Sequence, residues 1–309
     1  MPLTAPVLVI GAASLDLKGH VTGLLHPGAS NPGLIRRSVG GVARNVAENL
    51  ARLGVNVALM TAIGDDVIGQ TVLREAREVG INTSPSLIVE GGRTGAYLAV
   101  FDSAGALHVA VDDMAVLDGI TPRYIHDRRK LIADAAMVVV DANLSPATLE
   151  TLFSITYRTG VRVCADPTSP ILAARLRPYV HQLALTTPNA AEAEALSGMS
   201  VEDEDDSLRV ARYLVKMGTG LVVVTLGEQG LAYATSEESG RFPAIRAKVV
   251  DPTGAGDALT AGVIFGRLND LEPVEAVRLG LAAATLTLKC AETVCPDLSL
   301  EKLYDQLVV

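Results

Sequence analysis

Residues 249–257 read Val-Val-Asp-Pro-Thr-Gly-Ala-Gly-Asp, and residues 258–264 continue Ala-Leu-Thr-Ala-Gly-Val-Ile. This pattern predicts a strand that ends at Asp251, a turn through Gly254 and Gly256, and a buried helix that starts at the turn. The first N–H groups of a helix have no acceptor within the helix, and the helix dipole adds positive potential there. The turn is therefore a candidate anion site, which its glycines would let a phosphate approach closely.

Asp257 places a carboxylate beside this candidate anion site. A carboxylate next to a cradle of N–H groups suits a general base that works beside a developing negative charge. The alternative is an ordinary strand-to-helix turn with an aspartate near the helix start. The rest of the chain has to decide between the two interpretations.

Composition limits the class of protein. The chain has 309 residues, of which 49% are apolar and 20% charged, and this predicts a folded globular protein. Its net charge of −9 argues against a nucleic-acid partner and favours a small ligand. The first residues lack the features of a signal peptide, and no apolar run reaches the roughly 18 residues that a membrane span needs. We therefore expect a cytoplasmic protein with no membrane partner.

The cysteines give no sign of a metal site. Cys164, Cys290 and Cys295 form no Cys-x-x-Cys pair and have no nearby histidine. We expect three buried thiols, with neither a zinc site nor a disulfide framework.

Short apolar runs alternate with helical patterns along most of the chain. One helical stripe runs from Val42 to Leu53, and Gly54 is placed to end that helix. The predicted strands cover residues 6–11, 55–61, 136–141, 161–166, 183–187 and 221–225. Continuously apolar strands between helices indicate a doubly wound α/β fold, with a mostly parallel sheet sandwiched by helices. We expect one domain, residues 1–309.

Two segments interrupt this alternation. Residues 14–38 are too rich in glycine and proline for a helix, and residues 96–102 and 106–112 flank Ser-Ala-Gly as a hairpin would. We predict a small antiparallel β lid formed by about residues 14–38 and 92–118. The alternative is an ordinary hairpin at the edge of the sheet.

Polar residues near the first strand predict an acceptor site for hydroxyl groups. Gly40 and Gly41 precede a helix whose first turn carries Arg44 and Asn45, and the amide of Asn45 can donate to and accept from a hydroxyl. Asp16 lies just past the first strand, at the edge where open α/β sheets bind ligands. A turn with a capping amide and a turn-stabilising aspartate are the alternatives.

Two further strand ends carry weaker signals. Asn189 and Glu192 share the first turn of a helix, where they suit the outer shell of a hydrated Mg²⁺ or, alternatively, a capping box. Thr225, Gly227 and Gly230 follow another strand and either line a nucleotide phosphate path or make a hairpin turn. No P-loop, dinucleotide fingerprint, His-Glu-x-x-His or Gly-x-Ser-x-Gly motif occurs, which argues against those enzyme classes.

Taken together, these motifs resemble one family. Asp16, Gly40-Gly41-x-x-x-Asn45, Asn189-x-x-Glu192, Thr225-Leu-Gly and Asp251-x-Thr-Gly-x-Gly-Asp257 occur in the order seen in ribokinase-like, or PfkB, carbohydrate kinases. The resemblance spans essentially the whole chain. It implies ATP-dependent phosphoryl transfer to a primary hydroxyl of a sugar or nucleoside, a β lid over the acceptor, and a homodimer formed through the lid.

Within the family the chain is most similar to the subgroup that acts on the 5′-hydroxyl of pseudouridine. Stretches that carry this likeness include Ser30-Asn-Pro-Gly33, Asp112-Asp113-Met114 and Asp166-Pro-Thr168-Ser. Two positions depart from the family: Ser14 stands where many members have Asn, and Thr225 where many have Lys. A ribose or other furanose kinase is the alternative, and a binding protein without turnover is a remote one.

The resemblance and the residue chemistry together assign roles. We expect Asp257 to be the general base, with the backbone of Gly254, Ala255 and Gly256 forming the anion hole. The expected acceptor-binding residues are Asp16, Asn31, Gly41, Arg44, Asn45, Asp112, Asn143 and Thr168. The expected nucleotide-binding residues are Asn189, Thr225, Gly227, Gly230, Gly254 and Gly256. Mg²⁺ is expected to contact Asn189 and Glu192 through water, and a monovalent cation such as K⁺ is expected beside Asp251 and Thr253.

Overall fold

The computed structural model describes residues 5–307. Within them, eight strands form a central sheet in the order β14-β13-β12-β11-β10-β9-β1-β4. These strands are β1 (Val7–Ile10), β4 (Val57–Met60), β9 (Met137–Asp141), β10 (Val163–Asp166), β11 (Leu183–Thr186), β12 (Leu221–Thr225), β13 (Leu231–Ala234) and β14 (Ser239–Phe242). All pairings are parallel except β12 with β13 and β13 with β14. The mostly parallel sheet that the sequence predicts is confirmed.

Helices cover both faces of this sheet. They are α1 (Val42–Arg52), α2 (Val67–Glu78), α3 (Pro122–Asp127), α4 (Arg129–Ala133), α5 (Pro146–Thr159), α6 (Pro170–Ala173), α7 (Ala190–Ser197), α8 (Glu204–Lys216), α9 (Ala255–Leu268), α10 (Pro273–Leu288) and α11 (Leu300–Leu307). In β1, Val7 and Val9 pack into one core cluster whereas Leu8 and Ile10 pack into another. Because successive side chains of a strand point to opposite faces, a strand buried on both faces has to be apolar throughout.

Four further strands form a separate sheet over the carboxyl ends of the central strands, in the order β3-β2-β7-β8. They are β2 (Ser14–Val21), β3 (Gly33–Gly40), β7 (Gly95–Phe101) and β8 (Leu107–Asp113), and we call this sheet the lid. Two short strands, β5 (Ala62–Gly64) and β6 (Leu87–Val89), form a parallel pair. In the sequence they lie between β4 of the central sheet, which we call the body, and β7 of the lid.

The lid differs in one pairing from the antiparallel sheet that the sequence predicts. β2 pairs antiparallel with β3, and β7 antiparallel with β8, but the central pair of β2 and β7 is parallel. Both strands begin at the body, where Ser14 pairs with Gly95, and so they run in the same direction. The single-domain organisation of residues 1–309 stays a prediction.

The cysteine prediction is wrong for two of the three residues. Cys290 and Cys295 form a disulfide, with Cα atoms 5.5 Å apart, whereas Cys164 is a free, buried thiol as expected. A separation of five residues lets the chain double back after α10, and this spacing lies outside the Cys-x-x-Cys pattern. Among residues 5–307 no helix is long and apolar enough to span a bilayer.

Candidate active site

The site begins at the start of α9, where the sequence predicts an anion hole. Gly254 is the N-cap residue and has a left-handed backbone, with φ of 84°. A Cβ atom at this position would lie 1.9 Å from the carbonyl oxygen of Thr293, so no side chain fits. No side chain caps the helix start, and the N–H groups of Gly256 and Asp257 find no acceptor in the described part of the chain. These unpaired N–H groups form a local site for an anion.

Asp257 lies in the first turn of α9, next to these N–H groups. The side-chain amide of Asn45 donates to its Oδ2 over 2.8 Å. Burial raises the pKa of Asp257 to about 7; the Asn45 hydrogen bond lowers it, and the charges of Asp16 and Asp141 raise it. A carboxyl group with a pKa near neutrality is well matched to general-base catalysis.

A buried ion network holds Asn45 in this orientation. The Arg44 guanidinium donates through Nη1 to the side-chain oxygen of Asn45, 3.1 Å away, and to the carbonyl of Val39. Arg44 also pairs with Glu48, which in turn pairs with Arg52. Because the amide oxygen of Asn45 accepts from Arg44, its nitrogen faces Asp257. The structure thus directs Arg44 to Asn45 and Glu48, although the sequence predicts direct contact with the acceptor. Gly41, the N-cap of α1, begins the same segment.

Asp16 lies on the face of the lid that carries polar side chains. It is 5% exposed, and the Ser14 hydroxyl donates to its Oδ1 over 3.0 Å. Burial raises its pKa despite this hydrogen bond and the positive charge of Lys18. The strand register places Asp16 beside Tyr97, and Tyr97 beside Asp112. Burial first, and then these two carboxylates, raise the pKa of the Tyr97 hydroxyl. Asp16, Tyr97 and Asp112 therefore form one row across the lid.

The loops after β9 and β10 carry Asn143 and Thr168. Asp141 accepts from the backbone and the side-chain amide of Asn143, both at 3.0 Å, and the side-chain oxygen of Asn143 has no donor among residues 5–307, so it can accept from a ligand. Thr168 has a φ of 66°, which is strained for a β-branched residue. Its N–H donates to Asp166 and its hydroxyl oxygen accepts from the Ala142 N–H. These contacts hold Thr168 in the strained conformation.

The capping box that competes with the magnesium interpretation is present. The side chain of Asn189 accepts from the Glu192 N–H, and Oε2 of Glu192 accepts from the Asn189 N–H. The second carboxylate oxygen of Glu192 has no hydrogen-bond partner among residues 5–307. Thr225 pairs with Asn189 in an isolated parallel β-bridge of the backbone. Gly227 and Gly230 make the turn from β12 to β13. The two glycines therefore make a hairpin turn, as the alternative interpretation predicts. This turn follows Thr225, which pairs with Asn189.

The side chain of Asn31 bonds within its own loop and not with the other residues predicted to bind the acceptor. Its side-chain oxygen accepts from the His26 N–H, and its side-chain nitrogen donates to the carbonyls of His26 and Ala29. The amide thus closes the exposed loop between β2 and β3, and the prediction that it contacts a base is not supported by its geometry.

Several buried carboxylates crowd around Asp257. Burial raises the pKa of Asp166 well above its usual value, and the charges of Asp257 and Glu192 raise it further. Burial likewise raises the pKa of Glu192. Such a group favours either protons or a cation. No cluster of three or more acidic, histidine or cysteine side chains in the described residues has the geometry to hold a metal directly, so a cation here would be held mainly through water or by a ligand.

The expected place of a monovalent cation is taken. The Nζ atom of Lys18 lies 2.7 Å from Oδ2 of Asp251, and the Thr253 N–H donates to Oδ1 over 2.8 Å. Each oxygen of Asp251 therefore has one donor, and the Lys18 ammonium group lies beside Oδ2, where K⁺ was expected. These residues do not fit a monovalent metal ion at Asp251 Oδ2.

Sequence reasoning missed four residues at this site. Lys18 pairs with Asp251, Asp166 joins the carboxylate group, and Tyr97 stands between Asp16 and Asp112. Arg175 donates to the carbonyls of residues 142–144 and so fixes the loop of Asn143. The one available signal was alternation in β2, which places Lys18 on the same face as Asp16.

Fold and site together define a class of enzyme. A doubly wound sheet, a lid that carries a buried carboxylate, and an aspartate base beside an anion hole suit a phosphotransferase with an alcohol acceptor. The pfkB family of carbohydrate kinases matches residues 4–298, and the chain belongs to this family. The family resemblance of the sequence motifs and the enzyme class are thereby confirmed.

Individual relatives agree with this placement. The chain is 34% identical to a pseudouridine kinase of Escherichia coli over 95% of this chain and 94% of that protein. It is similar to the structure of a carbohydrate kinase from Agrobacterium tumefaciens, with 30% identity, a TM-score of 0.84, and coverage of 99% of this chain and 97% of that one. A ribokinase of Arabidopsis thaliana, solved with ribose and ATP, has the same fold at 22% identity, with a TM-score of 0.84 and coverage of 99% and 100%.

Proposed function

We propose that the protein transfers the γ-phosphoryl group of ATP to the 5′-hydroxyl of pseudouridine and so produces pseudouridine 5′-phosphate. The observation that carries the phosphotransferase chemistry is the position of Asp257, whose carboxylate lies beside the unpaired N–H groups at the start of α9. The acceptor rests on the 34% identity to the E. coli pseudouridine kinase. Because ATP is the proposed donor, we place the reaction in the cytoplasm.

Proton transfer falls to Asp257. As the 5′-oxygen attacks the γ-phosphorus, the bond from phosphorus to the bridging oxygen of ADP breaks, and the hydroxyl proton passes to the Asp257 carboxylate. Asn45 holds that carboxylate through the 2.8 Å hydrogen bond. The N–H groups of Gly256 and Asp257, which find no acceptor in the described part of the chain, stabilise the negative charge on the transferred group, whereas the Ala255 N–H donates to the carbonyl of Pro252.

The acceptor lies between lid and body. Asp16 accepts from the ribose hydroxyls, and Asn45 retains one donor and one acceptor position for the same sugar, since an amide offers more of each than its two protein contacts use. The base reaches the free oxygen of Asn143 and the hydroxyl of Thr168. Asp112, in the same row of the lid as Asp16, contacts the base from the lid side.

The nucleotide lies along the edge formed by the ends of β11 and β12, near Asn189, Thr225, Gly227 and Gly230. Asn189 and Glu192 would hold Mg²⁺ through water, and the ion would supply positive charge beside the phosphates of ATP. The free oxygen of Glu192 and the crowded carboxylates of Asp166 and Asp257 fit a hydrated cation, because their mutual repulsion falls when a positive charge enters.

We also propose that the lid joins two copies of the chain. The register places four exposed apolar side chains on the face opposite Asp16: Ile35, Leu98, Val109 and Val111. An exposed apolar patch of this kind marks an interaction surface. A second copy of the same lid would bury it.

A furanose kinase is the second candidate function. The amide of Asn31 is used by its own loop, which leaves fewer groups for a base than the sequence predicts. Ribose needs none of those contacts.

The test is a panel of acceptors. Pseudouridine, uridine and ribose are each incubated with the protein, ATP and Mg²⁺, with a chelator as the control, and phosphorylated products are identified by mass spectrometry. We expect pseudouridine 5′-phosphate as the fastest-forming product, and none with the chelator. Ribose turned over faster than pseudouridine would favour the furanose kinase, and no product from any acceptor would refute a kinase for this acceptor class.

A further inference from the structure

The lid and the anion hole are joined by a buried ion pair that the proposed mechanism does not use. Lys18 extends from β2 to Asp251, and the two side chains are 5% and 11% exposed. Asp251 begins the loop of residues 251–254, which leads through Thr253 to Gly254 at the start of α9. The pair thus connects the strand that carries Asp16 to the loop that shapes the anion site.

The burial and pairing of Lys18 hold its side chain at Asp251. A cavity of about 340 Å³, lined in part by Lys18, Arg36, Asp251 and Glu292, opens beside the pair. Lysine is costly to bury unless its charge is matched, and the carboxylate at 2.7 Å supplies the match. Burial acts to raise the pKa of Asp251, but the hydrogen bonds from Lys18 and the Thr253 N–H outweigh it and hold the pKa below its usual value. Asp251 therefore stays ionised and paired at neutral pH.

We infer that Lys18 is a positioning residue that acts as a tethered cation: its ammonium group holds Asp251, and through it the loop of residues 251–254, so that the anion hole forms without a monovalent metal ion. A metal ion bound at Oδ2 of Asp251 would be repelled by the positive charge of Lys18. The inference rests on the proposed function, because it assigns Lys18 to the phosphoryl-transfer site.

The ammonium also couples the two halves of the site. Asp16 and Lys18 are two residues apart on the same face of β2, so a displacement of the lid strand moves the acceptor-binding carboxylate and the cation together. Loss of Lys18 should therefore lower kcat more than it weakens acceptor binding, because the acceptor contacts of Asp16 remain while the anion hole loosens.

The test compares cations at constant ionic strength. Turnover of the wild type and of Lys18→Met is measured in tetramethylammonium, sodium and potassium chloride, with Lys302→Met as the matched control, since Lys302 pairs with Asp297 at the surface. The wild type and Lys302→Met should vary less than about twofold among the salts. Lys18→Met should lose roughly 10- to 100-fold in kcat in tetramethylammonium chloride and recover at least fivefold in potassium chloride, because K⁺ enters the place that the ammonium group leaves.

A second readout needs no turnover. The melting temperature of Lys18→Met without ligands should lie below that of the wild type in tetramethylammonium and rise with potassium concentration, whereas that of the wild type should not respond specifically to potassium. A wild type that needs potassium, or a Lys18→Met variant that matches it in every salt, would overturn the inference. A loss that no cation restores would assign Lys18 to packing alone. Failure of all acceptors in the panel would refute the proposed function yet leave these melting curves decisive for the tethered cation.

Discussion

At the scale of single residues, the site depends on how Asp257 is held. Its carboxylate accepts from Asn45, while burial raises its pKa to about 7. A base needs to be ionised to act, yet burial favours the protonated form. The Arg44 contact, which turns the amide nitrogen of Asn45 toward Asp257, supports the ionised form. The balance gives a group that exchanges a proton near neutral pH.

Replacing Asp257 with Asn should lower kcat by roughly 10²–10⁴-fold, the range for loss of a positioned general base, with little change in nucleotide affinity. Steady-state kinetics with saturating ATP measure this, with the exposed Asp305→Asn as control. The melting temperature should rise at pH 8, because the raised pKa means that the ionised carboxylate destabilises the folded state above its pKa, and asparagine has no such charge. A fall in kcat below threefold would remove Asp257 from the base role.

The pH dependence of kcat/KM follows from the same pKa. Because the base is active when ionised, kcat/KM should fall as the pH drops through about 7 and stay level above it, at least to pH 8.5. At pH 6 it should be about tenfold below the plateau. The measurement is a profile from pH 5.5 to 8.5 in overlapping buffers, and a profile that is flat over this range would contradict the assignment.

At the scale of elements, the lid presents two different faces. One face carries the row of Asp16, Tyr97 and Asp112, whereas the opposite face exposes Ile35 and Val111. In the proposed function one face binds the acceptor and the other joins two copies of the chain, so substitutions on each face test one role at a time.

Asp16→Ala should weaken acceptor binding by roughly 10- to 100-fold, because a buried carboxylate that accepts from two hydroxyls makes charge-assisted hydrogen bonds. ATP affinity should change less than threefold. Isothermal titration with each ligand measures both affinities, and Ser14→Ala, which removes only the hydroxyl that donates to Asp16, should have a smaller effect. Unchanged acceptor affinity with lost ATP binding would reverse the two subsites.

The outer face of the lid predicts the oligomeric state. The wild type should have about twice the chain mass of 32.2 kDa in sedimentation equilibrium, and Val111→Asp should shift it toward the single-chain mass, because a buried carboxylate opposes association. Ile171→Asp, at an exposed apolar residue outside the lid, is the control and should leave the mass unchanged. A monomeric wild type would refute a homodimer.

The sequence predicts elements better than side-chain partners. Strand β12 has the predicted bounds, Leu221–Thr225, because a strand buried on both faces is apolar throughout and this is visible in the letters. Lys18 was missed because its partner lies 233 residues away, and no local pattern encodes such a contact. The disulfide of Cys290 with Cys295 and the internal bonds of Asn31 were missed because both depend on how a loop folds back on itself.

At the scale of the whole molecule, the proposed acceptor site is made of residues from both the body and the lid. The Asn143 loop comes from the central sheet and is clamped by Arg175, whereas Asp16 and Asp112 come from the lid. If these residues bind the acceptor as proposed, selectivity for an acceptor with a base requires both parts. The sugar contacts of Asp16 alone would not distinguish pseudouridine from ribose.

Asn143→Ala tests this division. Pseudouridine is joined to ribose through carbon and has an N–H that uridine lacks, and the free side-chain oxygen of Asn143 is suited to accept from it. A site built for that N–H discriminates against the analogue without it, because its acceptor then stays unpaired. In competition assays the wild type should prefer pseudouridine to uridine and to ribose. Asn143→Ala should lower kcat/KM for pseudouridine by roughly 10-fold or more and leave any activity on ribose unchanged, since ribose never reaches the Asn143 oxygen. Equal losses for all three acceptors would mean that Asn143 supports the fold of its loop, through Asp141, and does not read the base.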